Sequence, residues 1–215
     1  MRSHAFPVTH VARLLAAALI AGSAFAAQAV SFDLSPEQPA RQRGAVNPAV
    51  EQALPAGFRF AEANTLTIGI APNLPPLSTY ATDARTVVGF DPDLAQLIAD
   101  SLGRKLKIVP LAWADWPLAL QSGKVDTIFS VNSMLAYQAS LRGDAKLIGT
   151  VSGGWPRTAD IAITTRKGSG LAEPLTLAIN ALIANGSYRK ALDHWRLDAE
   201  AIDRSQTNPP GLPRT

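Results

Sequence analysis

The 215-residue sequence contains no cysteine, only three histidines and 7% aromatic residues. Without cysteine there is no disulfide framework, no thiolate metal site and no thiol to carry a lipid anchor. His4 and His10 fall in a stretch expected to be removed on export, which leaves His194, beside Trp195, as the one imidazole of the mature chain. A Ser-His-Asp triad would have to rest on that residue, and a histidine-based metal site lacks its second ligand. The segment "GSG" at 168–170 follows Lys167 and does not make a nucleophile elbow, and no phosphate-cradling glycine loop is present. No Lys/Arg run and no basic face with interleaved aromatics appears either, so the formal net charge of +3 gives no reason to expect nucleic acid. No metal or organic cofactor is expected.

The amino-terminal stretch is what the chain does have in full. Arg2 and Arg13 precede the apolar run "LLAAALIAGSAFA", which ends in the small-residue patterns Ala24-Phe25-Ala26 and Ala27-Gln28-Ala29. The run is shorter than the roughly 20 apolar residues of a spanning helix, so residues 1–29 are read as a cleaved signal peptide. Its removal takes away two arginines and leaves 18 basic against 17 acidic residues, a nearly neutral mature protein. The expected location is periplasmic, with the protein soluble and without a lipid anchor.

Residues 30–63 are rich in Pro, Gln and Arg with little periodicity, and read as a flexible arm with a short helical turn near Val50 to Leu54. Regular structure is expected from residue 64. "LTIGIA" (66–71) has the continuous apolar character of a strand covered on both faces. "GFDPDLAQLIADSLG" carries helix signals: Asp91 as N-cap, Pro92 at the first position, Leu94, Leu97, Ile98 and Leu102 at helical spacing, and Gly103 as stop. Strands are expected at 105–111 and 125–130, with a short helix at 115–123 between them. A helix over "SMLAYQASLRG", strands at 145–151 and 159–168, and two amphipathic helices at 171–186 and 187–197 complete the pattern, followed by a turn-rich tail over 198–215 that is expected to dock loosely or not at all. Over the first three strands, 66–71, 105–111 and 125–130, the alternation of strand and helix implies parallel pairing through right-handed crossovers and helices on both faces of the sheet. Such sheets bind ligands beyond the carboxyl ends of their strands.

Asp91 and Asp93 stand close together, but a helix start accounts for both through capping and the helix dipole. Asp115 is read in the same way, as the cap of the helix beginning at Trp116. Trp113 follows the second strand, where a flat ring makes a cleft wall or packs into the core. Ser130, Asn132 and Ser133 follow the third strand and offer either ligand contacts or turn and N-cap chemistry.

The sequence from "LTIGIAPNLPPLSTY" through "GFDPDLAQLIADSLG" and "LALQSGKVDTIFS", joined to "ADIAITTRKGSGLAEPLTLAINALIANGSYRKALDHW", resembles the polar amino-acid class of extracytoplasmic solute-binding proteins that feed ABC transporters (bacterial family 3). The resemblance covers nearly everything from Asn64 to Trp195 and implies a periplasmic-binding-protein-like α/β fold of two lobes that close on a ligand. Relatives follow the strand equivalent to "VDTIFS" with a Thr-rich stretch, a carboxylate-clamping Arg and most of the second lobe. Here the chain runs directly into "NSMLAYQASLRGDAKLIGTVSGGWP". The expectation is therefore one largely intact doubly wound lobe, built from 64–131 and 159–197, plus a remnant of the second lobe at 132–158 after an internal deletion. Carried over by position, Trp113 matches an aromatic wall and Leu74 replaces an aromatic. Ser130 and Val131 fall on a turn that presents hydroxyl or backbone N–H groups. Ser133 matches a following Ser/Thr donor, Asn132 matches instead a second-lobe polar ligand contact, and Tyr80 lies near the mouth. The implied partners are an amino acid or small polar solute and an inner-membrane ABC permease, with no catalysis. A ligand-independent interaction module, or relic, of the same fold and an exported dehydratase-like enzyme are the alternatives.

Overall fold

The computed structural model describes residues 32–131, 145–152 and 161–207. Contacts divide the chain into Met1–Phe32 and Asp33–Thr215, and the architecture below is that of the second unit. The first strand of its main sheet is β1 (Thr65–Ile70), whose residues after Thr65 are all buried. Leu66, Ile68 and Ile70 point to one face and Thr67 and Gly69 to the other, the alternation a strand imposes. A short antiparallel sheet follows, made of β2 (Asn73–Leu74), β3 (Ser78–Tyr80) and β4 (Val87–Val88). Nothing in the sequence pattern announces it, because strands of two or three residues are too short to show a period.

The α/β alternation then proceeds as expected. A five-residue helix α1 (Pro48–Gln52) precedes β1. After the small sheet come α2 (Phe90–Ser101), β5 (Lys105–Pro110), α3 (Trp116–Gln121) and β6 (Thr127–Val131). β1 pairs in parallel with β5 on one side and β6 on the other. β7 (Ala145–Ser152), β8 (Ile161–Arg166), α4 (Ala172–Ala184) and α5 (Ser187–His194) complete the described elements. β8 runs antiparallel to β6 and β7 antiparallel to β8, giving the strand order β5-β1-β6-β8-β7. The segment expected as a second-lobe remnant thus contributes an edge strand to this same sheet. The expected helix over 133–143 lies outside the described residues.

Both sheet faces are covered. Trp116, Ala119 and Leu120 of α3 pack with Leu111, Val125, Ile128 and Ala162 on the face that Gly69 shares. A Cβ on Gly69 would stand 2.7 Å from Leu111 Cδ1 and 2.9 Å from Ile128 Cδ1, so the glycine lets these side chains close over the strand. The other face carries Leu66, Ile68, Ile70 and Phe129 against α2 and the C-terminal helices, with Leu94, Leu97, Leu175, Ile179 and Leu192 buried.

Two segments expected to be loose are seated. From Asp33 onward the arm lies on α2: Arg41 Nε donates to Asp93 Oδ1 at 2.7 Å, and Arg43 pairs with both oxygens of Asp100. Asp93 and Asp100 are seven positions apart and so share one face of the helix, which gives two arginines one track to follow. Val50 of α1 is buried as well, and α1 begins two residues before the expected turn because Asn47 caps it and Pro48 opens it. At the other end, Ser205 is buried and exchanges bonds with Asn180 of α4, through Ser205 N to Asn180 Oδ1 and Asn180 Nδ2 to Ser205 O.

Candidate functional site

Because β1, β5 and β6 are parallel, their carboxyl ends share one rim, where the chain leaves at Ala71, Leu111 and Val131. The loop after β1 is held by Ser78, whose buried hydroxyl donates to Ala71 O at 2.9 Å, and by Asn73 N donating to the same carbonyl. Ser78 was not among the residues singled out from sequence, and a lone Ser opening a three-residue strand gives no pattern that would mark it. Leu74 pairs with Ser78 across the small sheet and is 42% exposed. Tyr80, equally exposed, lies one strand further along and pairs with Val87.

Trp113 occupies a 3-10 turn, Trp113–Asp115, directly after β5. It is half-buried, and its ring lies 4.2 Å from that of Trp116 at a tilt of 41°. It packs against the α3 core cluster. The Trp116 Nε1 donor is buried without a partner among the described residues. Ser130 and Val131 form the last two positions of β6, paired with Ala162 and Ile161. Asn132 and Ser133 lie outside the described residues.

The two aspartates at the start of α2 are not caps. The helix opens at Gly89, which makes no side-chain cap, and the first free N–H groups are taken by backbone: Phe90 N donates to Pro76 O and Asp91 N to Leu77 O. Asp93 is instead a buried acceptor for Trp195 Nε1 at 2.7 Å and for Arg41 Nε. Asp91 is 4% exposed, its Oδ1 has no partner among the described residues, and burial pushes its pKa up to about 7. Asp115 holds the N-cap position of α3, but its carboxylate makes no capping bond either. The sequence placed these carboxylates at helix starts and missed that neighbouring carbonyls and a distant indole had taken over the bonding. Among the described residues no group of His, Asp and Glu has the arrangement of a metal site, and no helix is long and apolar enough to cross a membrane.

The geometry amounts to a rim that carries a half-buried indole, an exposed aliphatic side chain and strand-end backbone. Comparison with known proteins finds several partial similarities. Cyclohexadienyl dehydratase from Pseudomonas aeruginosa is 40% identical over 55 residues, which is 26% of this chain and 20% of that enzyme. The chain thus spans about a fifth of that curated relative. The arginine-bound form of domain 1 from TmArgBP is 25% identical, with a TM-score of 0.46, over 55% of this chain and 94% of that one. The substrate-binding protein of an amino acid ABC transporter is 16% identical, with a TM-score of 0.47, over 61% and 98% respectively. The model of one family matches residues 66–198, the greater part of the sequence, and the chain belongs to that family, the bacterial extracellular solute-binding proteins, family 3.

Proposed function

We propose that the chain is an extracytoplasmic capture component that binds an amino acid or a similar small polar solute and presents it to an ABC permease in the inner membrane. The match of the family across residues 66–198 carries this reading. The rim at the carboxyl ends of β1, β5 and β6 supports it, because that is where sheets of this kind receive ligands. In this reading Trp113 is the wall against which the solute stacks, Leu74 and Tyr80 border the mouth, and Ser130, Val131, Asn132 and Ser133 supply hydroxyl, amide and backbone N–H groups. No bond is made or broken, and binding itself is the signal to the permease.

Part of the resemblance is missing, and its loss has a direction. A bidentate guanidinium–carboxylate contact is the strong, specifying interaction in such a site, and its absence weakens binding by about 2–5 kcal/mol. The proposed affinity is therefore low, with stacking on Trp113 as its main component. Isothermal titration of residues 30–215 with a panel of amino acids tests this, after a thermal melt has confirmed folding. Saturable heat that is weakened in Trp113→Ala supports the reading. A cooperative melt with no binding heat to any solute in the panel would sink it and favour an interaction module or relic of the same fold.

The 40% identity to a dehydratase over 55 residues favours one second reading, an exported enzyme acting on a carboxylate substrate. Turnover of a cyclohexadienyl carboxylate separates the two: a binding protein leaves the substrate unchanged.

A further inference from the structure

The rim does not account for a second concavity on the opposite side of the lobe. A cavity of about 270 Å³ lies at the amino ends of β1 and β6, lined by Phe58, Phe60, Val125, Asp126, Arg59 and Arg166, among others. Its position follows from the register: Thr127 of β6 pairs with Thr165 of β8, which brings Arg166 to the end of the sheet where β6 begins. The rim is at the other end of the same strands, so the two concavities are separated by the length of the sheet.

The cavity is built rather than incidental. Its lining includes the Asp126 carboxylate, whose two oxygens accept from Ala61 N at 2.8 Å and Thr67 N at 2.7 Å. These bonds tie the segment 58–61 to the start of β6. Phe58 and Phe60, with ring centroids 4.9 Å apart and nearly perpendicular, stiffen that wall. Asp126 is therefore engaged by backbone donors. Arg59 and Arg166, by contrast, make no ion pair among the described residues, while Arg41, Arg43, Arg104 and Arg189 all do. Ser169 adds a hydroxyl to the lining, already shared with Thr165 Oγ1 at 3.3 Å. The lining thus carries two unpaired guanidinium groups against one carboxylate whose oxygens are both engaged.

We infer that this cavity is a binding site for a small oxyanion-bearing molecule, a phosphate or a carboxylate, held by Arg59 and Arg166. Guanidinium forks match both oxyanion types, and two of them select a dianion over a monoanion. The volume lies near the lower end of the range for ligand pockets, which admits a compact anion and excludes a nucleotide-sized one. A concave cavity selects a free small molecule over a flat lipid surface.

Titration of the full chain with inorganic phosphate and, separately, with succinate tests the inference by calorimetry or by amide chemical shifts. Saturable binding of either anion is expected, weakened at least about tenfold by Arg59→Ala and by Arg166→Ala, and unchanged in Trp113→Ala. Which anion binds identifies the phosphate or the carboxylate as the ligand class. Both arginines are exposed, so the variants are expected to melt as the parent does; Arg59→Gln and Arg166→Gln repeat the test with the side-chain bulk kept. Binding of neither anion would overturn the inference, as would binding that survives all four substitutions. Association with phosphatidylglycerol vesicles without binding of either free anion would overturn it too. The outcome is independent of amino-acid binding at the rim, which Trp113→Ala reports separately.

Discussion

At the scale of single residues, Asp91 shows most clearly how position in a fold overrides residue type. Its place near a helix start would ordinarily keep a carboxyl ionised, but the backbone carbonyls of Pro76 and Leu77 have taken the nearby N–H donors. The side chain is left buried, and desolvation pushes its pKa up to about 7. In the unfolded chain the same carboxyl releases its proton near pH 4. Between those values the folded state holds more protons than the unfolded state, so stability falls as pH rises, and the penalty is complete above about pH 7. A separation of about three pH units corresponds to about 4 kcal/mol. Asp91→Asn, which cannot ionise, is expected to melt near the parent at pH 4.5 and clearly above it at pH 8. Melts at both values check this, and an equal difference at the two would show that ionisation of Asp91 is not the cause.

At the scale of elements, the start of α2 shows what was legible and what was not. The apolar spacing of Leu94, Leu97, Ile98 and Leu102 gave the helix, and the β-branched run after Asn64 gave β1, because burial on a defined face leaves a period in the sequence. The entry of α2 was not legible, since it depends on a loop fourteen residues upstream folding back at Pro76 and Leu77. Gly89 makes that contact possible: its φ is +135°, and a Cβ there would stand 2.3 Å from Leu77 O. Gly89→Ala is expected to destabilise the chain by at least about 2 kcal/mol, combining backbone strain with a clash that no side-chain rotation relieves. Chemical denaturation would measure it. Gly123→Ala is the control for strain alone, because Gly123 also has positive φ, at +73°, with nothing within 4 Å of its would-be Cβ. A loss at Gly89 no larger than at Gly123 would show that the close approach is unimportant. The candidate rim divides in the same way: the place of Trp113 directly after a strand was readable, whereas the bond from Ser78 to Ala71 O starts from a three-residue strand with no readable period.

At the scale of the whole molecule, the lobe is tied together by a contact that spans most of the described chain. Asp93 receives Arg41 from the arm and Trp195 from beyond α5, so a single carboxylate in α2 joins the first and last thirds of the sequence. The indole is 1% exposed and Asp93 is 4% exposed, so water cannot replace a lost donor. This gives the arm and the C-terminal helices a reason to fold as one body with the sheet, although the sequence assigns the arm little structure of its own. Trp195→Phe keeps an aromatic ring in the core but removes the N–H, leaving one oxygen of a buried carboxylate unpaired. A loss of about 1–3 kcal/mol is expected, with both far-ultraviolet and near-ultraviolet signals shifting together to a lower midpoint. Arg41→Ala strips the other donor from the same group, so combining it with Trp195→Phe is expected to depart from additivity, as partners sharing one buried acceptor do. Additive losses in that double-variant cycle would mean that the arm and the C-terminal helices stabilise the lobe separately, and that Asp93 is not the group through which they are coupled.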